Sequence, residues 1–348
     1  MMNKARRFFR FFIPLLLFAL PAFPAKSGDF VFFAEPIFGI RNGQVDEYVF
    51  LKKCAYDSDK LSELNWEIKN EFYGGIRTGF EWGNFFSEFS VSGMLFSQKG
   101  LMADSDWMNT TVANAENYQY KTNYSESDNF LSKDYSIGAK IGCSFWLFEN
   151  DFASISIKPF AGFTFSAIAF DAKNGTAWYG NYIGAYQAPY DDSENRSVYD
   201  FSGMNLISYE RKSYIAWLGF DFFSEISEKF VAGAGFSFSP YLYAESIDTH
   251  HQKNAMFGDK TTGCFGAFGW RLSAEYIISD RFSVLLGAEF FFMRVLRGNS
   301  YQKTVSASKY KLDSSSEGGA ASHFLDIALS CRLKLSHKKA LSSKTAFR

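Results

Sequence analysis

The chain carries a period of two. From Phe230, the residues Phe230, Ala232, Ala234, Phe236, Phe238 and Leu242 fall on one face of an extended segment, against Gly233, Gly235, Ser237, Ser239 and Tyr241 on the other. From Phe282, the set Phe282, Val284, Leu286, Ala288, Phe290 and Phe292 opposes Ser283, Gly287 and Glu289. Side chains along a strand point alternately to opposite faces, so the pattern predicts strands with one apolar face and one polar or small face. Noisier copies occupy 30–50, 61–81, 85–102, 132–148, 152–172, 207–224, 262–278 and 319–335, giving about ten strands, an even number as membrane barrels favour.

Composition decides what those strands build. There are 41 Phe and 19 Tyr, yet mean hydropathy is −0.15, and no apolar stretch after the first residues is long enough to cross a bilayer as a helix. A soluble β-sandwich would rarely place so many phenylalanines at alternate positions. A barrel has use for them, because its lipid face and interface girdles are apolar and aromatic while its interior is polar. The expected fold is all-β, a transmembrane antiparallel β-barrel of about ten strands with long extracellular loops. Connections alternate in length: short turns at 82–84, 149–151, 224–228 and 279–281, long polar stretches at 103–131, 173–206, 249–261 and 300–318. Short turns belong to the periplasm and long loops to the outside.

The N-terminus fits export to that membrane. A basic opening through Arg10 leads into a short apolar run, Phe11 to Phe18, followed by small residues between Ala22 and Ser27, the pattern of a secretory signal. The expected division is a signal peptide at 1–27, a barrel at 28–335 and a basic periplasmic tail at 336–348. A formal net charge of −1 offers no basic field for nucleic acid. Cys54, Cys143, Cys264 and Cys331 show no metal-ligand spacing, and three of them fall within predicted strands, where a packed thiol is expected.

Two short runs carry candidate chemistry. In Asp248-Thr249-His250, an Asp two residues from a His can bond one ring nitrogen and leave the other as a base. In Asp104-Ser105-Asp106-Trp107-Met108, two carboxylates at alternate positions point the same way and can share a proton or hold a water. The second run lacks the Gly turn and terminal Glu of a calcium loop. Each motif is weak alone, and both are expected in outward loops at the same extracellular rim.

Taken together, these residues resemble the omptins, ten-stranded outer-membrane proteases whose site joins an Asp pair to an Asp-His pair. Asp104 to Met108 looks like the family's Asp-x-Asp-Trp-Met motif, and Asp248-Thr249-His250 looks like its Asp-x-His motif. Leu61-Ser62-x-Leu64-x-Trp66 resembles the entry to the second strand, and Gly39 to Glu47 the end of the first. The resemblance covers Phe30 to Leu335. It implies peptide hydrolysis by activated water, with His250 as base, Asp248 orienting it, and Asp104 and Asp106 positioning the water. It implies no metal and no cofactor, and peptide or protein substrates cut near basic residues. Glu47 falls on an acidic position that binds a basic side chain, but the second acid of that pocket falls on Ser246, leaving Glu47 and neighbouring Glu245 to supply charge. The lipopolysaccharide-binding positions fall on Phe163, Phe165 and Ala167, with a cation kept only at Lys212, which argues against dependence on lipopolysaccharide. Alternatives are a catalytically silent barrel acting as an adhesin or scaffold, and a small porin. Ten strands disfavour the porin, because wide aqueous channels need ~16.

Overall fold

The computed structural model describes residues 30–52, 59–111, 115–149 and 154–337. The expected leader, Cys54 and the tail from residue 338 lie outside the described residues. Ten strands form the wall: β1 (Phe30–Leu51), β2 (Lys60–Trp82), β3 (Phe85–Gln98, resumed at Gly100–Asp106), β4 (Asn123–Cys143, resumed at Phe145–Glu149) and β5 (Ser154–Gly180). After them come β6 (Asn205–Ser227), β7 (Phe230–His250), β8 (Ala255–Gly263, resumed at Ala267–Ser279), β9 (Phe282–Thr304) and β10 (Lys311–His337). Each strand pairs antiparallel with its neighbours in sequence, and β10 closes on β1 from Phe30↔His337 to Leu51↔Ser316. Closure leaves no free edge in the ring. The last strand thus continues two residues past the expected end at Leu335.

Short connections gather at one end: Gly83-Asn84, with Gly83 at φ 58, then Glu228-Lys229 and Asp280-Arg281. Phe30 pairs with both Trp82 and His337, so the wall begins and finishes at that same end. At the other end the strands run on. β5 and β10 have 27 residues each, whereas a bilayer crossing needs ~9–11. Parts of the stretches expected as loops are therefore wall: 103–106 and 123–131, 173–180 and 205–206, 249–250 and 255–261, and 300–304 and 311–318. Beyond the lipid both faces of a strand can be polar, so the apolar contrast that betrays a strand disappears while its hydrogen-bond ladder continues.

Outside, Phe38, Ile76, Leu95, Leu272, Leu286 and Leu329 are exposed. Phe220, Phe236, Trp270 and Phe290 form a strip across β6 to β9 with neighbouring ring centres 5.7–6.0 Å apart. A wall this apolar fits lipid rather than water. Inside, charge is matched. Arg41 bonds Asp326 at 2.7 Å and Asp134 at 2.6 Å; Glu35 meets Arg77 and Arg332; Asp221 meets Lys140 at 3.0 Å and Arg271 at 2.7 Å. These pairs fill the lower barrel with side chains, as expected of ten strands. Above them lies an apolar layer centred on fully buried Trp66, stacked between Phe170 and Tyr209 at 5.5 Å each.

The predicted faces of β9 stand: Phe282, Leu286, Phe290 and Phe292 face out and Ser283 is buried. Those of β7 hold only to Ser239. Relative to β6, β7 carries one extra residue between Phe238 and Tyr241, at Ser239-Pro240. Proline has no N–H for the ladder and is tolerated at such a bulge. The extra residue reverses the alternation, so Leu242, expected on the lipid face, is completely buried inside, and Tyr241 turns to the other face. Cys264 also departs from expectation, lying exposed in the break of β8; Cys143, Cys264 and Cys331 are free.

Candidate active site

The bulge in β7 determines what the site contains. With unbroken alternation, Asp248 and His250 would share the outward face of Phe236 and Phe238. Reversed, Leu242, Ala244, Ser246 and Asp248 are all buried on the inner side. The Asp-His motif thus stands on a strand, not in a loop, and the ladder with β6 fixes it through Tyr209↔Asp248 and Ile207↔His250. His250 Nε2 lies 2.5 Å from Asp248 Oδ2. A carboxylate accepts, so Nε2 carries the hydrogen, and in the neutral ring the lone pair is on Nδ1. Phe257, from β8, packs edge-on against the imidazole at 5.3 Å. His251 points elsewhere, with Nε2 2.9 Å from Ser208 Oγ.

The Asp pair likewise stands on a strand, the outer half of β3. Asp104 pairs with Leu64 of β2 and Ser125 of β4. Asp106 is anchored through its backbone: Thr122 donates to its carbonyl from both N, at 2.8 Å, and Oγ1, at 3.0 Å. Asn123 Nδ2 reaches its carboxylate at 3.4 Å. Trp107 closes the motif, with Lys60 over its ring at 4.0 Å and its N–H bonded to Leu61.

β3 and β7 are four strands apart in a ring of ten, so the two motifs face each other from opposed walls. Burial and the Asp106 carboxylate push the Asp104 carboxyl up to about 7, while His250 and Lys253 across the cleft oppose the rise. Glu47 enters the same row by register, since Leu64 pairs with Asp104 on one side and Glu47 on the other. Its carboxyl lies well above the usual range, first from burial and then from Asp248 and Asp259. Ser246 faces inward two residues before Asp248, paired with Arg211 and Asp259. Every expected site residue therefore reaches one cleft above the Trp66 layer. Glu245 does not: it accepts from Tyr243 Oη at 3.0 Å on the opposite face of β7.

Three further groups were not foreseen from sequence. Asp259 is buried, its carboxyl raised to about 7 mainly by burial, with Ser300 and Arg211 opposing and Asp248 adding to the rise. Lys253, in the β7–β8 turn, is within reach of Asp104 electrostatically. Tyr179 of β5 is pushed up to about 12 by burial and by Asp104 and Asp106. Only strand pairing could have found Asp259, because it lies in a polar stretch without a motif.

A model of the Omptin family matches residues 34–335. The plasminogen activator of Yersinia pestis is 25% identical over 275 residues, covering 77% of this chain and 79% of that protein. The crystal structure of the outer membrane protease OmpT from Escherichia coli superimposes with a TM-score of 0.73 at 17% identity, over 90% of this chain and 99% of that one, which shows a common fold. The family model runs from the first strand to the last and takes in both acid motifs, so this chain belongs to the Omptin family.

Proposed function

We propose that the protein is an outer-membrane endopeptidase whose site opens on the extracellular side, where water activated between the two motifs attacks a peptide bond. One observation carries the reading: an Asp248-His250 pair bonded at 2.5 Å faces the Asp104-Asp106 pair across a single cleft. Family membership and a relative named as a plasminogen activator support it. The short turns at the opposite end support the orientation, and the basic and apolar opening at 1–27 supports export.

The chemistry follows from the two pairs. His250 Nδ1 takes a proton from water as that water attacks the carbonyl carbon, and Asp248 holds the ring and stabilises the imidazolium that forms. Asp104 holds its proton up to about pH 7, because burial and the neighbouring Asp106 carboxylate disfavour its charge. Such a pair can accept a hydrogen bond from the water and donate one to the oxygen on which charge develops. The imidazolium then returns its proton to the leaving amine, and no acyl-enzyme forms. Cleavage near basic residues belongs to the same proposal, because acidic groups line the cleft. Phe163, Phe165 and Ala167 bring no cation to the wall, and Lys212, paired beside Ala167, lies 3.7 Å from the Glu210 carboxylate, which favours activity independent of lipopolysaccharide.

Refolded protein incubated with a mixed peptide library, with cut sites read by mass spectrometry, tests the reading. Cleavage lost in Asp248→Asn and Asp104→Asn is the expected result. A folded barrel that cuts no peptide would overturn it in favour of an adhesin or scaffold.

A further inference from the structure

Ser246 leaves the inner face of β7 without a charge at the place where an acid was expected. The ladder puts Asp259 of β8 directly beside it, at Ser246↔Asp259. The Asp259 side chain extends inward past β9. A Cβ on Gly318 of β10 would sit 2.0 Å from its Cγ, so the carboxyl rests against a backbone bared of side chain. Gly318 pairs with Val49 of β1, and Ala320, two residues on, pairs with Glu47. Asp259 and Glu47 thus approach the same ground from opposite sides of β9 and β10, near enough for each to feel Asp248.

Neither carboxyl is fully satisfied within the protein, although Ser300 bonds that of Asp259. Glu47 Oε2 and Asp259 Oδ1 are buried without a hydrogen-bond partner, although both residues are only 3% exposed. The cation nearby, Arg211, is committed elsewhere: it donates to Tyr209 Oη at 2.8 Å, to the Ala321 carbonyl at 2.7 Å and to the Asp46 carbonyl. Arg211 is thus the one cation beside two carboxyls whose charge burial disfavours until a second cation enters. Buried, unpartnered carboxylate oxygens cost stability, and a side chain kept for structure would have them bonded. What they lack is a donor carrying positive charge, which a Lys or Arg side chain supplies.

We propose that Asp259 is a specificity-determining residue that, with Glu47, holds a basic side chain of the substrate, supplying from β8 the charge that Ser246 lacks on β7. The inference rests on the endopeptidase reading and deepens it: the acid of the pocket has moved one strand along the wall, with its height kept by register.

Two peptide pairs, identical except for Arg or its neutral isostere citrulline beside the scissile bond, test it on the full refolded barrel. One pair is cleavable and read as kcat/KM. The other has a reduced, uncleavable bond and is read as binding by fluorescence anisotropy. Asp259→Asn should lower the Arg-over-citrulline ratio in both assays by about tenfold or more. Adding Ser246→Asp to that variant should restore the ratio, which a purely structural role for Asp259 would not allow. An unchanged ratio in Asp259→Asn, or equal losses on both peptides, would overturn the assignment. If the wild type cleaves neither peptide yet binds the Arg form selectively through Asp259, the pocket stands and the endopeptidase reading falls.

Discussion

Replacing Asp104 by Asn should stabilise the barrel while impairing hydrolysis, and the gain should depend on pH in a defined direction. Burial and Asp106 push the wild-type carboxyl up to about 7 in the folded protein, from an ordinary 3.8. Below about pH 4 the group is protonated in both states and costs the fold nothing. Between about pH 4 and 7 the unfolded chain releases its proton while the folded one retains it, so stability falls as pH rises through that window. At about 1.4 kcal/mol per unit, the full penalty is about 4 kcal/mol, and relaxation around the charged group reduces it. Asn cannot ionise. The variant should match wild type near pH 4 and be more stable at pH 8 by about 2–4 kcal/mol. Denaturant unfolding in lipid vesicles, followed by tryptophan fluorescence at both pH values, measures the difference. A gain that is flat with pH, or a variant less stable at pH 8, would refute the electrostatic account of the pair.

His250→Ala should lower turnover by ~10²–10⁴-fold, whereas His251→Ala, bonded to Ser208 away from the cleft, should do far less; serine-directed reagents and chelators should leave activity intact. Deleting Pro240 should remove the bulge yet leave Asp248 and His250 facing inward in unchanged register with β6, so the variant should still run as a heat-modifiable barrel on gels and keep its activity in peptide assays. One extra residue inserted between Tyr241 and Ala244 should instead turn both outward and abolish activity. Phe236→Arg, in the outer aromatic strip, should cost ~2–4 kcal/mol in refolding titrations, a penalty that Phe236→Leu should not share. Arg41→Ala would leave Asp134 and Asp326 unpaired inside the barrel and should cost ~3–5 kcal/mol in the same titrations.

Sequence alone was enough for the barrel. Period-two alternation in a phenylalanine-rich chain without a spanning helix has few other physical outcomes, and turn lengths distinguish the two ends. The strand count and the outward faces of β9 were legible because lipid outside and packed polar groups inside create a contrast within single strands. Both candidate motifs were legible as runs of adjacent residues, since Asp-x-His and Asp-x-Asp are local facts. The limits of the wall were not, because strands outside the bilayer lose that contrast, and so stretches such as 123–131 looked like loops. The inward turn of Asp248 and His250 follows from the bulge at Ser239-Pro240, visible only once β7 is paired with β6. Asp259 required still more: a neighbouring strand in register with Ser246 and a bare glycine two strands away. Which side chains share a cleft is decided by pairing between strands remote in sequence, and a single shift in that register exchanges the inner face for the outer one.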